Sequence, residues 1–406
     1  MTATAPVATA ERLDVLDVLR GVAVFGILLV NIDSFIGYGF LPAERVGSPR
    51  GAIFDEAAAL LVEIFVQGKF YCLFSFLFGV GFSVFVQRAR AKGADAVRLF
   101  RRRLLGLLLI GLLHAIVVWY GDILASYAVI GFGLIPFLRR DDRAALRAGL
   151  LWLASPVAFY LVIFAGAALI PVGAPPGNGA ADNGLPPILA RAVDSFARGS
   201  YADVVAGNLV FTGANVVRRL ALMFFPRVFG MFLLGYYAAQ INLFAHLDAH
   251  ARTLMNVTIY GFAAGLPLAA LGAALGSSGS PRPPSWLGLL EMTVESIATP
   301  ALALAYTAGI CLLYRRFRGT MLLLAPAGRM ALTNYLAQSV AGVAIFYGIG
   351  LGWYGRVSLT TALGGCVVFF LIQMVASRIW LSFAQFGPAE WAWRMFTYRK
   401  RFPLLR

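Results

Sequence analysis

The chain is built from repeated apolar runs of about 20 residues, the length at which a helix crosses a bilayer. Segment 18–40 is the first, and similar runs recur as far as residue 383. Hydrophobic residues make up 60% of the chain and charged residues 13%, against roughly 25% charged residues in soluble domains. The runs are too long for membrane barrel strands, whereas helices satisfy their own backbone hydrogen bonds in lipid. The sequence therefore predicts an all-α, polytopic membrane helical bundle with about ten spans.

Basic residues set the predicted orientation of these spans. Residues 88–103 hold seven lysines and arginines, and shorter clusters lie at 139–147 and 315–318. Short loops rich in Lys and Arg stay in the cytoplasm, so we expect both termini on the cytoplasmic side of a bacterial inner membrane. These loops account for much of the net charge of +15. The bilayer is therefore the expected partner, and no nucleic acid is.

The spans divide the chain into a 1–17 cytoplasmic tail, an 18–384 membrane domain and a 385–406 basic, aromatic cytoplasmic tail. Proline and glycine open segment 171–217, which predicts an extracytoplasmic loop. Pro226 is expected to kink or split the span that follows this loop. The ten predicted spans cover 18–40, 70–87, 104–120, 123–138, 149–170, 220–244, 253–275, 286–314, 329–351 and 357–383.

Segment 101–124 carries the feature that most directly suggests chemistry. It begins with three arginines, contains the apolar-embedded His114, and ends near Asp122. Eight residues of straight helix would separate the two side chains by about 12 Å. Either Gly121 bends the chain back, or each side chain needs a partner from another span. We expect the two residues to form two ends of one site wall, with a packing histidine and a helix cap as the alternative interpretations.

Other polar residues within the apolar runs are further candidates, because a charge at mid-bilayer costs about 2.5–3.5 kcal/mol on insertion scales. Such residues usually face a cavity or a partner, although Arg20 could simply anchor its helix at the interface. The predicted substrate- or donor-binding residues are Arg20, Asn31, Lys69, Ser75, Glu291, Glu295, Arg329, Asn334 and Gln338.

The sequence carries no recognisable cofactor or metal motif. Cys72, Cys311 and Cys366 lie singly in apolar runs, and no phosphate-binding loop, GxSxG or HExxH motif is present. His246 and His250 flank Asp248 in a polar loop, where a solvated surface is the better interpretation. We therefore expect no bound cofactor and no metal.

Five blocks of sequence together resemble the YeiB-like bacterial inner-membrane family, domain of unknown function 418. The blocks are RLDVLDVLRGVAVFGILLVNI (12–32), QGKFYCLFSFLFGVGFS (67–83), GLLHAIVVWYGDILASYAV (111–129), GRMALTNYLAQS (328–339) and FGPAEWAWRMFTY (386–398). The last two spans, within 328–384, belong to the C-terminal part of this resemblance. The family is similar in turn to the transmembrane acyltransferases, which move acyl groups from a cytoplasmic donor to an acceptor across the membrane.

The resemblance implies a helical membrane enzyme with acyl-coenzyme A as a possible donor substrate. Acyltransferase-3 proteins carry an Arg-x10-His pattern on their first span, where this sequence has Arg20 and Asn31. An amide cannot act as a general base, so the role would pass to His114, with Asp122 orienting it. Arg20 and the basic cluster 101–103 would meet the anionic donor, and Asn31 and Asn334 would donate hydrogen bonds to an acyl oxygen.

Three functions are therefore considered. The first is a membrane acyltransferase acting on a small-molecule, glycan or lipid acceptor through a hydroxyl or amine. The alternative is a transporter or permease that uses His114, Asp122, Glu291 and Glu295 as a proton or substrate path. The third is a structural or regulatory membrane protein without turnover.

Overall fold

The computed structural model describes residues 13–40, 52–169, 185–276 and 285–406. These residues form helices, and the one β-bridge among them joins Ala384 to Leu405. The α-helices are α1 Asp14–Ile36, α2 Ala52–Phe65, α3 Lys69–Ala91, α4 Ala96–Leu113, α5 Leu124–Gly131, α6 Asp142–Leu169, α7 Pro187–Arg198, α8 Tyr201–Ala221, α9 Phe224–Gln240, α10 Ala251–Ala274, α11 Trp286–Arg316, α12 Arg318–Met321, α13 Ala325–Arg329, α14 Ala331–Phe346, α15 Leu359–Phe383 and α16 Pro388–Tyr398.

Six helical segments in the described ranges are long and apolar enough to cross a membrane, or seven if the bent pair α8–α9 is one span. The six are Asp14–Ile36, Ile53–Ala91, Arg143–Gly166, Ala251–Ala274, Trp286–Arg316 and Leu359–Phe383. The chain is thus an all-helical, multi-pass membrane protein, but the predicted count of about ten spans is not confirmed. The predicted spans at 123–138 and 329–351 contain only short apolar helices, Leu124–Arg139 and Ala331–Phe346.

Helix α1 lies at the centre of the bundle. Two thirds of its most apolar window is buried, against 17% for the corresponding windows in α6 and α10. Its side chains contribute to three of the four hydrophobic clusters in the described part of the chain. A helix that is apolar all round and mostly buried belongs to the core, whereas apolar helices with exposed faces contact lipid.

The region after residue 185 is more regular than the loop predicted for 171–217. Helices α7 and α8 occupy most of its described part, and α9 follows at an angle of 71° to α8. The bend lies at Leu222 and Met223, where Met223 adopts a positive φ of 51°. Pro226 falls in the first turn of α9, a position that proline tolerates, so it does not split this helix.

Helix α14 is fixed by hydrogen bonds at its start and along one face. The carboxylate of Glu390, in α16, accepts hydrogen bonds from the backbone N–H groups of Leu332 and Thr333, at 2.7 and 3.1 Å. It thereby caps helix donors that have no partner within the helix. Burial raises the pKa of the Glu390 carboxyl, and the bonds from Thr333 and Leu332 oppose that rise. This contact joins the two C-terminal blocks of the sequence.

The face of α14 toward α15 carries two of the predicted binding residues. Asn334 donates to the Ala327 carbonyl and to Ser377, both at 3.0 Å. Gln338 donates to Gln373 at 2.9 Å, and Gln373 donates back to the Asn334 carbonyl at 3.0 Å. Buried amides commonly hold membrane helices together in this way. Asn334 and Gln338 therefore serve helix packing, and the expected donation from Asn334 to an acyl oxygen is not what its amide does in this structure.

Candidate functional site

The candidate site forms where α4 ends and the chain reverses. A single π-helical turn, His114–Val118, follows α4, and Trp119 is extended. The chain then folds back so that the Asp122 carboxylate lies 3.0 Å from Nδ1 of His114. Both side chains are 2% exposed. The sequence left open whether the chain bends back or whether each side chain has a partner from another span. The chain bends back, so the prediction that His114 and Asp122 form two ends of one site wall is wrong.

Glycine makes this reversal possible. A Cβ atom on Gly111 would lie 2.4 Å from the backbone nitrogen of Ala125 and 2.9 Å from Oδ1 of Asp122. A Cβ on Gly121 would lie 2.1 Å from the ring of Trp119. Both distances are far below van der Waals contact, so a larger residue at either position would push the returning segment away from α4.

Helix α8 donates hydrogen bonds to backbone carbonyl groups of the π-helical turn after α4 and of the segment that returns from it. A helix end leaves its last carbonyls without intrahelical partners, and such groups are costly in a membrane. The bonds run from Tyr201 to the Val117 carbonyl at 2.8 Å, from Asn208 to Ile116 at 3.1 Å, from Asn215 to Tyr120 at 3.4 Å and from Arg219 to Asp122 at 2.6 Å. These four donors are not among the residues predicted from the sequence. Their signal was the seven-residue spacing of the first three, which puts them on one helical face.

The hydrogen-bond pattern shows which ring nitrogen of His114 donates to Asp122. Oδ1 of Asp122 accepts from the backbone N–H of Ala125 at 2.8 Å, which caps the start of α5. Oδ2, as a carboxylate oxygen, can only accept, so Nδ1–H of His114 donates to it. In the neutral form of this imidazole Nε2 carries the lone pair, and Nε2 is buried with no hydrogen-bond partner among the described residues. Asp122 is thus both a helix cap and a histidine partner.

Aromatic rings surround the imidazole. The ring of Tyr335, on α14, lies 5.2 Å from the His114 ring, and that of Trp119 lies 6.5 Å away. The Tyr335 hydroxyl is also buried with no hydrogen-bond partner among the described residues. Two neighbouring side chains therefore each bury a polar atom of a kind that commonly finds a partner.

A cavity of about 310 Å³ extends from this region along α1 and α3. Its lining follows α1 from Leu13 to Ile27, about 21 Å at 1.5 Å per residue. Phe74 lines one end of it on α3, and Arg88 lines it about four turns further along the same helix. The cavity therefore has an aromatic end and a basic end.

Six basic side chains line the cavity, against two acidic ones, Asp17 and Glu390. Of the three arginines in 101–103, Arg103 is the one in the lining, where its guanidinium stacks 3.7 Å from the centroid of the Trp393 ring. Arg20 is paired with Asp17 at 2.7 Å. The six cations are Arg20, Arg88, Lys92, Arg103, Arg329 and Arg394.

The cavity and the His114–Asp122 pair meet at Tyr335. Tyr335 and Ile123 line the cavity, whereas His114 does not. The tyrosine ring thus contacts the cavity on one side and lies near the imidazole on the other. Of the predicted binding residues, Arg20 and Arg329 belong to this cavity, and Asn31 and Glu291 do not line it.

Three other predicted residues, Lys69, Ser75 and Glu295, lie in a second polar cluster. Lys69 is 2% exposed and donates to the Glu63 carbonyl at 2.7 Å. Arg227 donates to the Tyr71 hydroxyl at 3.1 Å and lies 3.8 Å from Glu295. The Ser75 hydroxyl is hydrogen-bonded to Tyr127 and to the Tyr71 carbonyl, each at 2.7 Å. Within the described residues, no group of three or more His, Cys, Asp or Glu could hold a metal ion.

Comparison with known proteins gives the family. The family model described as "Protein of unknown function (DUF418)" matches residues 238–400. The chain is 30% identical over 413 residues to "Uncharacterized protein YeiB" of Escherichia coli (strain K12), covering 97% of this chain and 98% of that protein. The chain belongs to the YeiB-like DUF418 family.

Other relatives in this YeiB-like family extend along the whole chain. "Uncharacterized protein YxaH" of Bacillus subtilis (strain 168) is 33% identical over 431 residues, covering 100% of this chain and 99% of that protein. "Uncharacterized 39.9 kDa protein in amylase 3'region" of Bacillus acidopullulyticus is 30% identical over 403 residues, covering 98% of each chain. No solved structure matches the chain.

Proposed function

We propose that this YeiB-like protein is an acyltransferase of the bacterial cytoplasmic membrane. It moves an acyl group from a cytoplasmic acyl donor to a hydroxyl or amine of a small-molecule, glycan or lipid acceptor. The observation that carries the proposal is the buried His114–Asp122 hydrogen bond, which leaves the Nε2 lone pair of His114 free. An imidazole held in one tautomer by a carboxylate is the arrangement of a general base.

The reaction follows from this geometry. Nε2 of His114 takes the proton of the acceptor hydroxyl or amine as its oxygen or nitrogen attacks the acyl carbonyl carbon. The carbon–sulfur bond of a thioester donor then breaks, and the imidazolium returns the proton to the leaving sulfur. Asp122 keeps Nδ1 protonated and stabilises the imidazolium while it exists.

The cavity supports an anionic, amphiphilic donor such as acyl-coenzyme A. Its aromatic end near Tyr335 suits an apolar or acyl portion, and its basic end suits phosphate groups, which arginine binds through two parallel hydrogen bonds. A volume of about 310 Å³ is at the lower end of the range for ligand sites, roughly 300–1,000 Å³. Arg20 and Arg103 line this cavity, and in this proposal they bind the phosphate groups of the donor.

The resemblance to transmembrane acyltransferases supports the proposed acyl transfer, although the proposed base lies at a different position in this chain. Asn31 replaces the histidine of the Arg-x10-His pattern on the first span, and the histidine of this chain lies directly after α4 instead. The acyl-transfer chemistry is then built on a different helix, with its own carboxylate partner Asp122.

The test uses purified protein in lipid nanodiscs with radiolabelled acetyl-coenzyme A, and membrane vesicles from the expressing bacterium as the acceptor source. Label should move into the lipid or glycan fraction with wild-type protein and with His246→Ala, a variant of an exposed histidine. His114→Ala should reduce transfer to background. Undiminished transfer by His114→Ala would remove the proposed base.

The second polar cluster favours one alternative, a transporter or permease. Lys69 and Arg227 are buried near Glu295 at the start of α3 and α9, and charged groups within membrane proteins often mark proton or ion paths. Purified protein in proteoliposomes would then import protons when a membrane potential is applied, as a pH-sensitive dye inside the liposomes reports. Unchanged flux after Glu295→Gln and Glu291→Gln would count against this alternative.

A further inference from the structure

Tyr335 is held in place by its neighbours on α14. Asn334 and Gln338, one before and three after it, are hydrogen-bonded toward α15. Residue 335 therefore points to a different side of α14, about 100° away from residue 334. On that side its ring lines the cavity and lies 5.2 Å from the imidazole of His114. The rotation of α14 thus fixes where the Tyr335 ring lies.

The hydroxyl of Tyr335 is the unusual feature of this side chain. It is buried, and among the described residues no group accepts its proton and none pairs with Nε2 of His114. Tyr127 lines the same cavity and is also buried, yet its hydroxyl bonds to Ser75 and to the Tyr71 carbonyl, both at 2.7 Å. A buried hydroxyl whose proton has no acceptor is costly, and this one belongs to a side chain that lines the cavity and lies against His114, so a ligand in the cavity can supply the acceptor.

We propose that Tyr335 is a catalytic residue whose hydroxyl donates a hydrogen bond to the carbonyl oxygen of the acyl donor, an inference that rests on the proposed acyl transfer. The donor's phosphate groups lie toward the basic end of the cavity, so its acyl end reaches Tyr335. Negative charge develops on the carbonyl oxygen as the acceptor attacks, and a positioned O–H donor stabilises it.

His114 and Tyr335 have different roles in proton transfer. His114 takes the acceptor's proton at Nε2 and later delivers it to the leaving sulfur, while Tyr335 keeps its own proton throughout. Tyr335 thereby takes the role that the sequence suggested for Asn334, whose amide is committed to Ala327 and Ser377. Tyr335, which follows Asn334 in the sequence, supplies the hydrogen bond to the carbonyl oxygen.

The experiment compares Tyr335→Phe with Tyr306→Phe, a tyrosine outside the cavity lining, in nanodiscs supplied with acetyl-coenzyme A and membrane-vesicle acceptor. Tyr335→Phe loses only an unpaired hydroxyl, so its thermal stability should equal that of the wild type. Its kcat should fall about 10²–10³-fold, the effect of removing one oxyanion donor, with KM for acetyl-coenzyme A little changed. Tyr306→Phe loses the hydrogen bond to the Phe65 carbonyl at 2.9 Å, so it should melt at a lower temperature and keep its kcat.

A second readout does not require turnover. Acetyl-coenzyme A carrying ¹³C in its carbonyl group is bound without acceptor, and its infrared carbonyl band is recorded. The band should lie at lower frequency in the wild type and in Tyr306→Phe than in Tyr335→Phe, because only Tyr335→Phe lacks the hydrogen bond. A shifted band without any transfer would support the Tyr335 contact and contradict the proposed acyl transfer.

Three results would overturn the inference. One is the same carbonyl frequency in the wild type and Tyr335→Phe. Another is an unchanged kcat in Tyr335→Phe when His114→Ala is inactive, which would leave the proposed function intact. The third is an absence of acetyl-coenzyme A binding to the wild type.

Discussion

Replacing Asp122 by asparagine separates the chemistry of the His114–Asp122 pair from its contribution to folding. The backbone N–H of Ala125 needs an acceptor at 2.8 Å, so the side-chain oxygen of asparagine should take that position. Its NH₂ group then faces Nδ1 of His114, which becomes an acceptor. The imidazole changes tautomer, and Nε2 gains the proton and loses its ability to act as a base.

The hydrogen bonds that each substitution keeps or loses set the expected change in stability. Asp122→Asn keeps a hydrogen bond at both oxygen positions, so its free energy of unfolding should stay within about 1 kcal/mol of the wild type. Asp122→Ala leaves Nδ1 of His114 and the N–H of Ala125 without partners, at about 1–3 kcal/mol each, and should lose about 2–6 kcal/mol in total. For activity, an amide in place of the carboxylate beside a catalytic imidazole costs about 10⁴-fold in kcat.

Nitrogen-15 NMR can observe the tautomer of His114 directly. The chain has three histidines, so replacing the other two leaves the signals of His114 alone. With His246→Gln and His250→Gln in the background, one labelled histidine is left, and its protonated and unprotonated nitrogens resonate separately. Nδ1 should carry the proton when Asp122 is present, and Nε2 should carry it in the Asp122→Asn variant. Unfolding in mixed detergent micelles gives the stabilities. An unchanged tautomer in Asp122→Asn, or equal stability of the asparagine and alanine variants, would refute the reasoning.

Three further predictions concern the frame around the site. Gly111→Ala should separate Asp122 from His114 and lower thermal stability by about 1–3 kcal/mol through overpacking, whereas Gly213→Ala, where a Cβ meets nothing within 4 Å, should leave stability within about 0.5 kcal/mol. Glu390→Ala should cost about 0.5–2 kcal/mol, measured by detergent unfolding, because α14 loses its cap. A double-mutant cycle of Gln338→Leu and Gln373→Leu should give a coupling of about 0.6–1.7 kcal/mol for their 2.9 Å bond.

Each of these has a clear contrary result. Equal effects of the two glycine substitutions would mean that the returning chain does not pack closely against α4. An unchanged unfolding midpoint in Glu390→Ala would show that water or another group caps α14 equally well. Additive effects of the two leucine substitutions would show that the two amides do not interact.

The sequence predicts the parts of this fold that depend on length and apolar composition. The first span at 18–40 corresponds to α1, and 253–275 and 286–314 correspond to α10 and α11. These helices are long and apolar throughout, so the bilayer dimension alone identifies them. The count of about ten is not confirmed where apolar runs are interrupted, as at the π turn after α4, because hydropathy does not show where a helix ends inside an apolar run.

The sequence indicates His114 and Asp122 as candidate residues but does not predict their geometry. His114 and Asp122 stand out because polar groups in apolar segments are costly. Their contact depends on the reversal after Val118, and the close approach at Gly111 gives no local signal that differs from other helical glycines. Tyr335 was missed because a tyrosine in an apolar helix is commonly a packing residue. Its significance comes from an unpaired hydroxyl, which only the surrounding structure reveals.

The most direct test of the account measures the release of free thiol from acetyl-coenzyme A in the presence of membrane-vesicle acceptor, using a single-histidine protein. The His246→Gln, His250→Gln background retains His114, and adding His114→Gln removes the last histidine. If His114 is the base, the single-histidine protein should release thiol at the wild-type rate, and the rate of the histidine-free protein should fall to background. Equal rates with and without His114 would contradict its role as the base.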